Sequence, residues 1–347
     1  MQNFKFYTKQ DILSITNIRK FETKVGEQID HVNDSTKWQK EIENTAADYI
    51  LFGIPEDIGV LANHGTEGAN SAWHPFLQSF LNVQSNDFFE GTEVLLLGHF
   101  DFDVTKQLIL QNGTTADEKL IAFRHAVNEI DEQVGNLAKC ISSLGKIPIA
   151  IGGGHNNAYG MIKGTAKGLS KKGVIPLPQI NCINLDAHTD YRPTEGRHSG
   201  NAFRYAEEDG FLLKYCVIGL QENYIPQNVW NDFVNNPFMD LITYEDIFIH
   251  EKQNFTEAVA HAVNFTDDTY VGIELDLDAI ENTASSAVTP CGISTADARK
   301  YITYTAKDAN CAYLHICEGI GKNQATIGKL ISNMVTDFVK AHSEKNY

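Results

Sequence analysis

Three separated stretches of the chain end an apolar run with acidic and imidazole side chains. They supply two histidines and four aspartates: His155 in GGGHNN, Asp186, His188 and Asp190 in LDAHTD, and Asp276 and Asp278 in ELDLD. Carboxylates and imidazoles without thiolates are the ligands that hard or borderline divalent cations prefer. Two such cations in one site ordinarily generate a nucleophile from water. The sequence therefore predicts a paired-metal site with these six ligands.

Each stretch alone has a simpler interpretation, because GGGH can be a tight turn and DxD can be a loop or a helix cap. DAHTD is the strongest of the three, since burying two carboxylates and an imidazole without a cation costs on the order of several kcal/mol. A thiol-free, aspartate-rich set favours two Mn²⁺ ions over a structural zinc. The same ligand types also bind nickel, iron, cobalt and zinc, which remain alternatives to manganese.

The elements that must position these residues are short apolar runs alternating with helical patterns. Strands are predicted at 49–54, 93–100, 147–153, 180–186, 215–220, 270–278 and 312–318. Their continuous hydrophobicity is typical of strands covered on both faces, as in a parallel sheet. Apolar stripes from Leu120 to Ile141 and from Ile327 to Phe338 predict amphipathic helices. The alternation predicts a doubly wound α/β sheet.

The three polar stretches all follow predicted strands at their carboxyl ends, where ligand sites form in open α/β sheets. Asp186, His188 and Asp190 are spaced at i, i+2 and i+4, so on extended backbone they project to one face. Asp276 and Asp278 repeat this spacing. Three glycines before His155 allow the chain to turn sharply. We expect all six ligands at one edge of the sheet.

Length and composition narrow the class of protein. The chain has 347 residues with 42% hydrophobic residues and no linker-like tract, which predicts one domain over 1–347. The more polar residues 1–45 could instead form an appendage. A formal net charge of −17 disfavours a nucleic-acid partner. The sequence has no long apolar run and no signal-like amino terminus, so no membrane partner is predicted. Its six cysteines form no CxxC pattern, which together with the missing signal predicts a cytoplasmic protein.

In the order and spacing of its three motifs the chain resembles the ureohydrolase superfamily, which includes arginases, agmatinases and formimidoylglutamases. That family carries GG-x-H, DAHxD and S-x-D-x-D, and the resemblance covers roughly 48–340. It implies an arginase-like three-layer αβα sandwich with a mainly parallel sheet. It also implies a binuclear manganese centre held by the six ligands, and assembly into trimers or hexamers. The implied reaction is hydrolysis of a guanidinium or formimino C–N bond by metal-bridging hydroxide.

The resemblance assigns roles to two acidic residues. Glu318, at the end of AYLHICE, matches the glutamate that holds the planar substrate cation, and a carboxylate can accept paired N–H bonds from an amidinium. Asp190 would be both a metal ligand and the acceptor of a proton from the attacking water. The simpler alternative for Glu318 is a carboxylate at a helix amino terminus.

The third motif departs from the family pattern. Glu274 replaces its opening serine, Glu281-Asn282 replaces Asp-Pro, and 284–286 (Ala-Ser-Ser) replaces Ala-Pro-Gly. These changes leave open a second hypothesis, a metal-binding but catalytically silent subunit. Retention of all six ligands argues against it.

The loop YRPTEGRHSGNAF, after the second motif, would form a wall of the pocket in such an enzyme. Arg192 follows Asp190 by two residues, and a guanidinium there would suit an acidic substrate. Arg197 and Asn201 are further substrate-binding candidates. Surface salt bridges are the simpler interpretation of the two arginines.

Proton transfer has one candidate in the same loop. Arginase-like members have a histidine at the position of Phe203, and formimidoylglutamases similarly have phenylalanine there. His198 is then the candidate proton shuttle and third catalytic residue, because imidazole titrates near neutrality. An ordinary loop histidine is the alternative.

The sequence thus predicts a binuclear-metal hydrolase of C–N bonds in linear amidines. The leading substrate is N-formimino-L-glutamate, whose two carboxylates suit Arg192, and the products are glutamate and formamide in histidine breakdown. An arginase, an agmatinase or another guanidino-acid hydrolase that releases urea is the alternative.

Overall fold

The computed structural model describes residues 1–322 and 325–344, and the described residues fold around one ten-stranded sheet. The strands are β1 (Phe4–Phe6), β2 (Asp30–His31), β3 (Tyr49–Gly53), β4 (Val94–Phe100), β5 (Ile147–Ile151), β6 (Ile180–Leu185), β7 (Leu212–Leu220), β8 (Met239–Thr243), β9 (Val271–Asp276) and β10 (Cys311–Cys317). Their order is β1-β4-β3-β5-β10-β9-β6-β7-β8, and β2 also pairs with β4. Only the β1–β4 pair is antiparallel among the described pairs.

The α-helices run between these strands and after the last one. They are α1 (Lys9–Ile15), α2 (Val25–Gln28), α3 (Trp38–Asn44), α4 (Ile58–Ala62), α5 (Trp73–Phe80), α6 (Asp103–Asn112), α7 (Ala116–Ser143), α8 (Asn157–Lys172), α9 (Ala202–Glu208), α10 (Gln227–Asn235), α11 (Tyr244–Phe248), α12 (Phe255–Phe265), α13 (Thr295–Asp308) and α14 (Ala325–Glu344). Both predicted amphipathic helices are confirmed, as α7 and α14.

Two hydrophobic cores lie on opposite faces of the sheet. In β3, Tyr49 and Leu51 belong to one core while Ile50 and Phe52 belong to the other, because side chains alternate along a strand. Helices α5, α12, α13 and α14 contribute to the first core, and α7, α8, α9 and α10 contribute to the second. The predicted three-layer αβα arrangement with a mainly parallel sheet is confirmed.

All seven predicted strands are present, but β1, β2 and β8 were missed. β1 and β2 are only three and two residues long, and β8 is an edge strand with one neighbour. β1 pairs with β4, and Ile12 and Val25 are fully buried, so residues 1–45 pack against the sheet. The division into domains stays a prediction. Within the described residues, no helix is both long and apolar enough to cross a membrane.

The close packing of α7 against α8 places the segment that begins just after His155. Gly164 on α8 faces Gly135 on α7, where an added Cβ would lie 2.2 Å from the carbonyl oxygen of Gly135. No real Cβ tolerates such an approach, so the two helices can be this close only with glycine at this position. The packing fixes the start of α8 and with it the turn that carries His155.

We predict that Gly164→Ala lowers the free energy of unfolding by about 1–3 kcal/mol, the usual cost of overpacking. Helix propensity alone would change it by about 1 kcal/mol in the opposite direction. Urea unfolding followed by circular dichroism measures the difference. Lys171→Ala on the exposed face of α8 is the control and should stay within about 0.5 kcal/mol. Unchanged or higher stability of Gly164→Ala would contradict the packing account.

Candidate metal centre and active site

Four adjacent strands, β5, β10, β9 and β6, end at the same edge of the sheet. The segments that follow β5, β6 and β10 carry His155, Asp186 and Glu318, and β9 itself ends at Asp276. Parallel strands bring their carboxyl ends to one edge, so residues far apart in the chain meet there. The expected convergence of the three motifs is confirmed.

Glycines shape the turn between β5 and His155. Gly152 and Gly153 have φ angles of +90° and +80°, a region that favours glycine, and a Cβ on Gly153 would lie 2.5 Å from the carbonyl oxygen of Ile54. The turn therefore needs both the conformational freedom and the missing side chain. It directs His155 into the interior, where its side chain is fully buried.

Local hydrogen bonds fold the two aspartate motifs. The Asp186 carboxylate accepts from the backbone N–H of His188 at 2.6 Å, and the Asp276 carboxylate accepts from that of Asp278 at 2.8 Å. The second contact ends β9 at Asp276 and opens a 3-10 turn at Leu277–Ala279. The expectation of extended backbone through 278 was therefore wrong, yet Asp278 still faces the site.

His155 is the centre of the first ligand group. Its Nδ1 lies 2.8 Å from Asp190 Oδ2 and 3.2 Å from the Oδ2 atoms of both Asp186 and Asp276. One imidazole nitrogen thus faces three carboxylates at once. Such an arrangement suits a cation bound among four ligands.

His188 is the centre of the second group. Its Nδ1 lies 3.1 Å from Asp278 Oδ2 and 3.5 Å from Asp186 Oδ1. Asp186 therefore turns one oxygen towards each histidine and joins the two groups. Together they make a candidate binuclear metal site.

The electrostatics of the site call for cations. Burial, followed by the charges of Asp278 and Asp186, raises the pKa of Asp276 well above its usual value. Burial also raises the pKa values of Asp190 and Asp278. Among the described residues, His155 Nδ1 and Asp278 Oδ1 are buried without a hydrogen-bond partner. Divalent cations would neutralise the crowded carboxylates and give both unpartnered atoms a ligand bond. The residues therefore fit two metal ions.

Glu318 stands beside the first group. Its Oε1 accepts a 2.7 Å hydrogen bond from the backbone N–H of His155, and its Oε2 is buried with no hydrogen-bond partner among the described residues. Its φ of +61° and that of Asp190, +44°, are left-handed, a strained conformation for residues with side chains that is common at functional sites. Burial raises the pKa of Glu318 to about 8.

A cavity of about 540 Å³ opens in front of the ligands. His188, Asp190, Asp276, Asp278 and Glu318 line its floor. Arg192 lines its wall, where its guanidinium donates to Asn63 Oδ1 at 2.9 Å and to Glu195 Oε1 at 3.1 Å. The Arg192 side chain keeps 48% exposure, so its charge is accessible from the cavity.

Comparison with protein families identifies the family of this chain, because the Arginase family model matches residues 47–319. The chain belongs to the arginase family. A curated formimidoylglutamase from Streptococcus pyogenes is 25% identical over 234 residues, which span 66% of this chain and 63% of the relative. The match thus covers less than two thirds of the relative's length.

Several solved structures share the fold of this chain. They include formiminoglutamase from Trypanosoma cruzi with Mn²⁺ (TM-score 0.68, 18% identity, 92% of this chain and 98% of that chain). Formimidoylglutamase from Bacillus subtilis superimposes with a TM-score of 0.70 at 18% identity and covers 95% of both chains. Proclavaminate amidino hydrolase from Streptomyces clavuligerus superimposes with a TM-score of 0.66 at 13% identity, and the match covers 94% of this chain and 98% of that chain.

Arg197 was expected to bind substrate, but it is not among the residues that line the cavity. Its side chain is 2% exposed and donates to both carboxylate oxygens of Asp131, to the Asn156 carbonyl and to Asn201 Oδ1. It also lies over the ring of Tyr159. The guanidinium is fully used by the fold, and we correct its assignment from substrate binding to structure. Asn201 is buried beside it and is corrected in the same way.

His198 is likewise placed away from the cavity floor. It is fully buried, its Nδ1 accepts from the backbone N–H of Gly200, and its Nε2 lies 3.2 Å from Glu195. Burial, followed by the charges of Arg192 and Arg124, lowers the pKa of His198 to about 4. A neutral, loop-bracing imidazole is poorly suited to shuttle protons near pH 7, so this assignment is withdrawn.

Three residues that matter to the site were missed or given another role. Glu56 is buried and accepts from the backbone N–H groups of Ile58, Gly59 and Gly154 and from both Asn156 and Asn157 side chains, so it holds the His155 turn. No sequence pattern pointed to it.

The other two are aromatic. Phe203 stands edge-on to the His155 ring, with centroids 5.2 Å apart, and stacks on Tyr215. Tyr224 lines the cavity and stacks on the His188 ring at 5.2 Å. Its position after β7, at the same sheet edge as the ligands, was the signal that could have found it. Each ring restricts the orientation of one candidate ligand histidine.

We predict that Arg197→Ala destabilises the fold by about 3–5 kcal/mol, because it leaves the buried Asp131 carboxylate unpaired. Arg192→Ala is the matched control from the same loop, and we expect a loss below about 1 kcal/mol because its ion pair is half exposed. Denaturant unfolding of both variants measures the contrast. Equal stability of the two would contradict the structural role of Arg197.

Proposed function

We propose that this chain is a binuclear metal-dependent hydrolase of C–N bonds in linear amidines, acting on N-formimino-L-glutamate to give L-glutamate and formamide. The observation that carries the proposal is the pair of ligand groups joined by Asp186, of which His188, Asp190, Asp276 and Asp278 line the cavity. The buried Glu318 beside them supplies a second requirement, a carboxylate that faces a substrate cation.

The metal ions of this proposal are two Mn²⁺. His155, Asp186, Asp190 and Asp276 would hold one ion, and His188, Asp186 and Asp278 would hold the other. The mixed nitrogen and oxygen donors support manganese, while nickel, iron, cobalt and zinc remain alternatives. When bound, two divalent cations lower the pKa of water between them and so provide a nucleophile near neutral pH.

The protein's own residues would orient the substrate. Glu318 Oε2 is free to accept N–H bonds from an amidinium, while Oε1 is held by the His155 backbone. Asp190, which lines the cavity beside His155, is the group we propose to accept the proton of the attacking water. Glu318 is buried and the Asp190 side chain is only 13% exposed, so each interaction is less screened by water than at the surface.

The choice of an acidic substrate rests on Arg192. It is the arginine of the loop that reaches the cavity, and its planar guanidinium can pair with a carboxylate in two places. An amidine end at Glu318 and a carboxylate end at Arg192 would match formiminoglutamate, whereas agmatine has no carboxylate. The names of the Streptococcus, Trypanosoma and Bacillus relatives support the same choice.

Four further sequence predictions remain part of this proposal. They are a role in histidine breakdown, a cytoplasmic location, assembly into trimers or hexamers, and a small-molecule substrate without nucleic-acid or membrane partners. Their support is the family membership and the acidic net charge of −17.

A product assay tests the proposal. Manganese-loaded protein is offered formiminoglutamate, arginine, agmatine and guanidinobutyrate, and formamide and urea are measured separately. We expect formamide from formiminoglutamate only. Urea without formamide would replace the proposed substrate with a guanidino compound, and neither product with any of the candidate metals would favour a catalytically silent subunit.

We predict that Glu318→Gln lowers kcat/KM for formiminoglutamate roughly 10- to 150-fold, the loss of about 1.5–3 kcal/mol from one charged hydrogen bond. Glutamine still accepts from the His155 backbone, so metal content should equal that of the wild type. Glu222→Gln, at an exposed position after β7, is the matched control and should leave kcat/KM unchanged. Wild-type kcat/KM in Glu318→Gln would remove the cation-binding role.

A further inference from the structure

A second buried carboxylate lies behind the metal centre. Glu274 on β9 is fully buried and does not line the cavity. Its Oε2 lies 3.4 Å from Nε2 of His155, the ring nitrogen opposite the one that faces the three aspartates. The two sides of one imidazole are therefore both occupied by carboxylates, but only one side carries the candidate ligands.

The neighbouring strand holds Glu274 in place. His315 on β10 is the register partner of Glu274, and its Nδ1 lies 2.6 Å from Glu274 Oε2. The Tyr313 hydroxyl donates to Glu274 Oε1 at 2.7 Å. A Cβ on Gly272 would lie 2.4 Å from the Tyr313 ring, so glycine at that position leaves room for the tyrosine. Both oxygens of the carboxylate thus have a partner.

Such a partner set is needed because an isolated buried carboxylate is strongly unfavourable. The Tyr313 hydroxyl and His315 Nδ1 contact the two oxygens of Glu274, with His155 Nε2 at 3.4 Å, and these contacts offset that cost. A serine, which opens this motif in the family pattern, carries no charge. This chain therefore places a carboxylate where the resembled motif has a hydroxyl.

A carboxylate beside a histidine ligand determines which ring nitrogen binds the metal. A neutral imidazole binds a cation through one nitrogen and carries its proton on the other, and a carboxylate at the protonated nitrogen fixes the tautomer, orients the ring and makes the ligand nitrogen more basic. With Glu274 beside Nε2, Nδ1 of His155 is left as the ligand atom. Phe203, edge-on to the same ring, restricts its tilt.

We propose that Glu274, held by Tyr313 and His315, is a positioning residue that strengthens metal binding at His155. The inference rests on the proposed metal site and adds a residue that replaces the family's serine. It concerns the affinity for one of the two ions, the one on the His155 side.

The test measures Mn²⁺ binding to metal-free full-length protein by equilibrium dialysis with elemental analysis. The wild type should bind two ions per chain. Glu274→Gln keeps the shape of the side chain and removes its charge, so one of the two ions should bind about 10- to 100-fold more weakly. Glu274→Ser, which restores the family residue, should show a loss in the same direction.

Tyr301→Phe is the matched control. The Tyr301 hydroxyl donates to the backbone carbonyl of Glu274 and to that of Ile183, so it supports the same strand but does not contact the carboxylate. This variant should lower the unfolding midpoint and leave both Mn²⁺ affinities unchanged. A merely structural role for Glu274 predicts that the two variants behave alike.

Two outcomes overturn the inference, and they differ from failure of the proposed function. A wild-type chain that binds fewer than two ions removes the metal site itself. A wild type that binds two ions, with a folded Glu274→Gln of equal affinity, removes only the role of Glu274. If Glu274→Gln does not fold, Glu274→Asp is the second variant, because it withdraws the carboxylate by one methylene. It should weaken the binding of one ion by about threefold or more. Wild-type affinity in Glu274→Asp also overturns the inference.

Discussion

Mutual repulsion among buried carboxylates is the constraint around which the structure is organised. Asp186, Asp190, Asp276 and Asp278 lie around two imidazoles, and burial with mutual repulsion raises the pKa values of three of the four. Such crowding is stable and useful only with added positive charge. Two divalent cations would supply it, and the sheet edge, the glycine turn and the strained backbone at Asp190 hold these candidate ligands close together.

Much of this could be predicted because the information is local in the sequence. Continuous apolar runs indicated seven strands of a parallel sheet, and polar residues at their carboxyl ends indicated the ligands. The short strands β1 and β2 and the edge strand β8 carry no such run, so nothing distinguished them from loops. Position along a strand was a better guide than composition.

The rest could not be predicted because it depends on residues distant in the chain. Arg192 and Arg197 stand in one loop, and nothing between them tells which reaches the cavity. Arg197 is held away from the cavity because it pairs with Asp131, which is 66 residues away on α7. Glu274 stood out only as a departure from a motif, and its contacts with His155 and His315 follow from the strand order β5-β10-β9.

The most direct measurement of the central claim is anomalous X-ray diffraction at the manganese absorption edge, on crystals grown with Mn²⁺. The account predicts two anomalous peaks on the cavity floor, one beside Nδ1 of His155 and one beside Nδ1 of His188, with Asp186 in contact with both. Manganese-containing crystals with no peak between these histidines, or with a single peak that excludes Asp186, would contradict it.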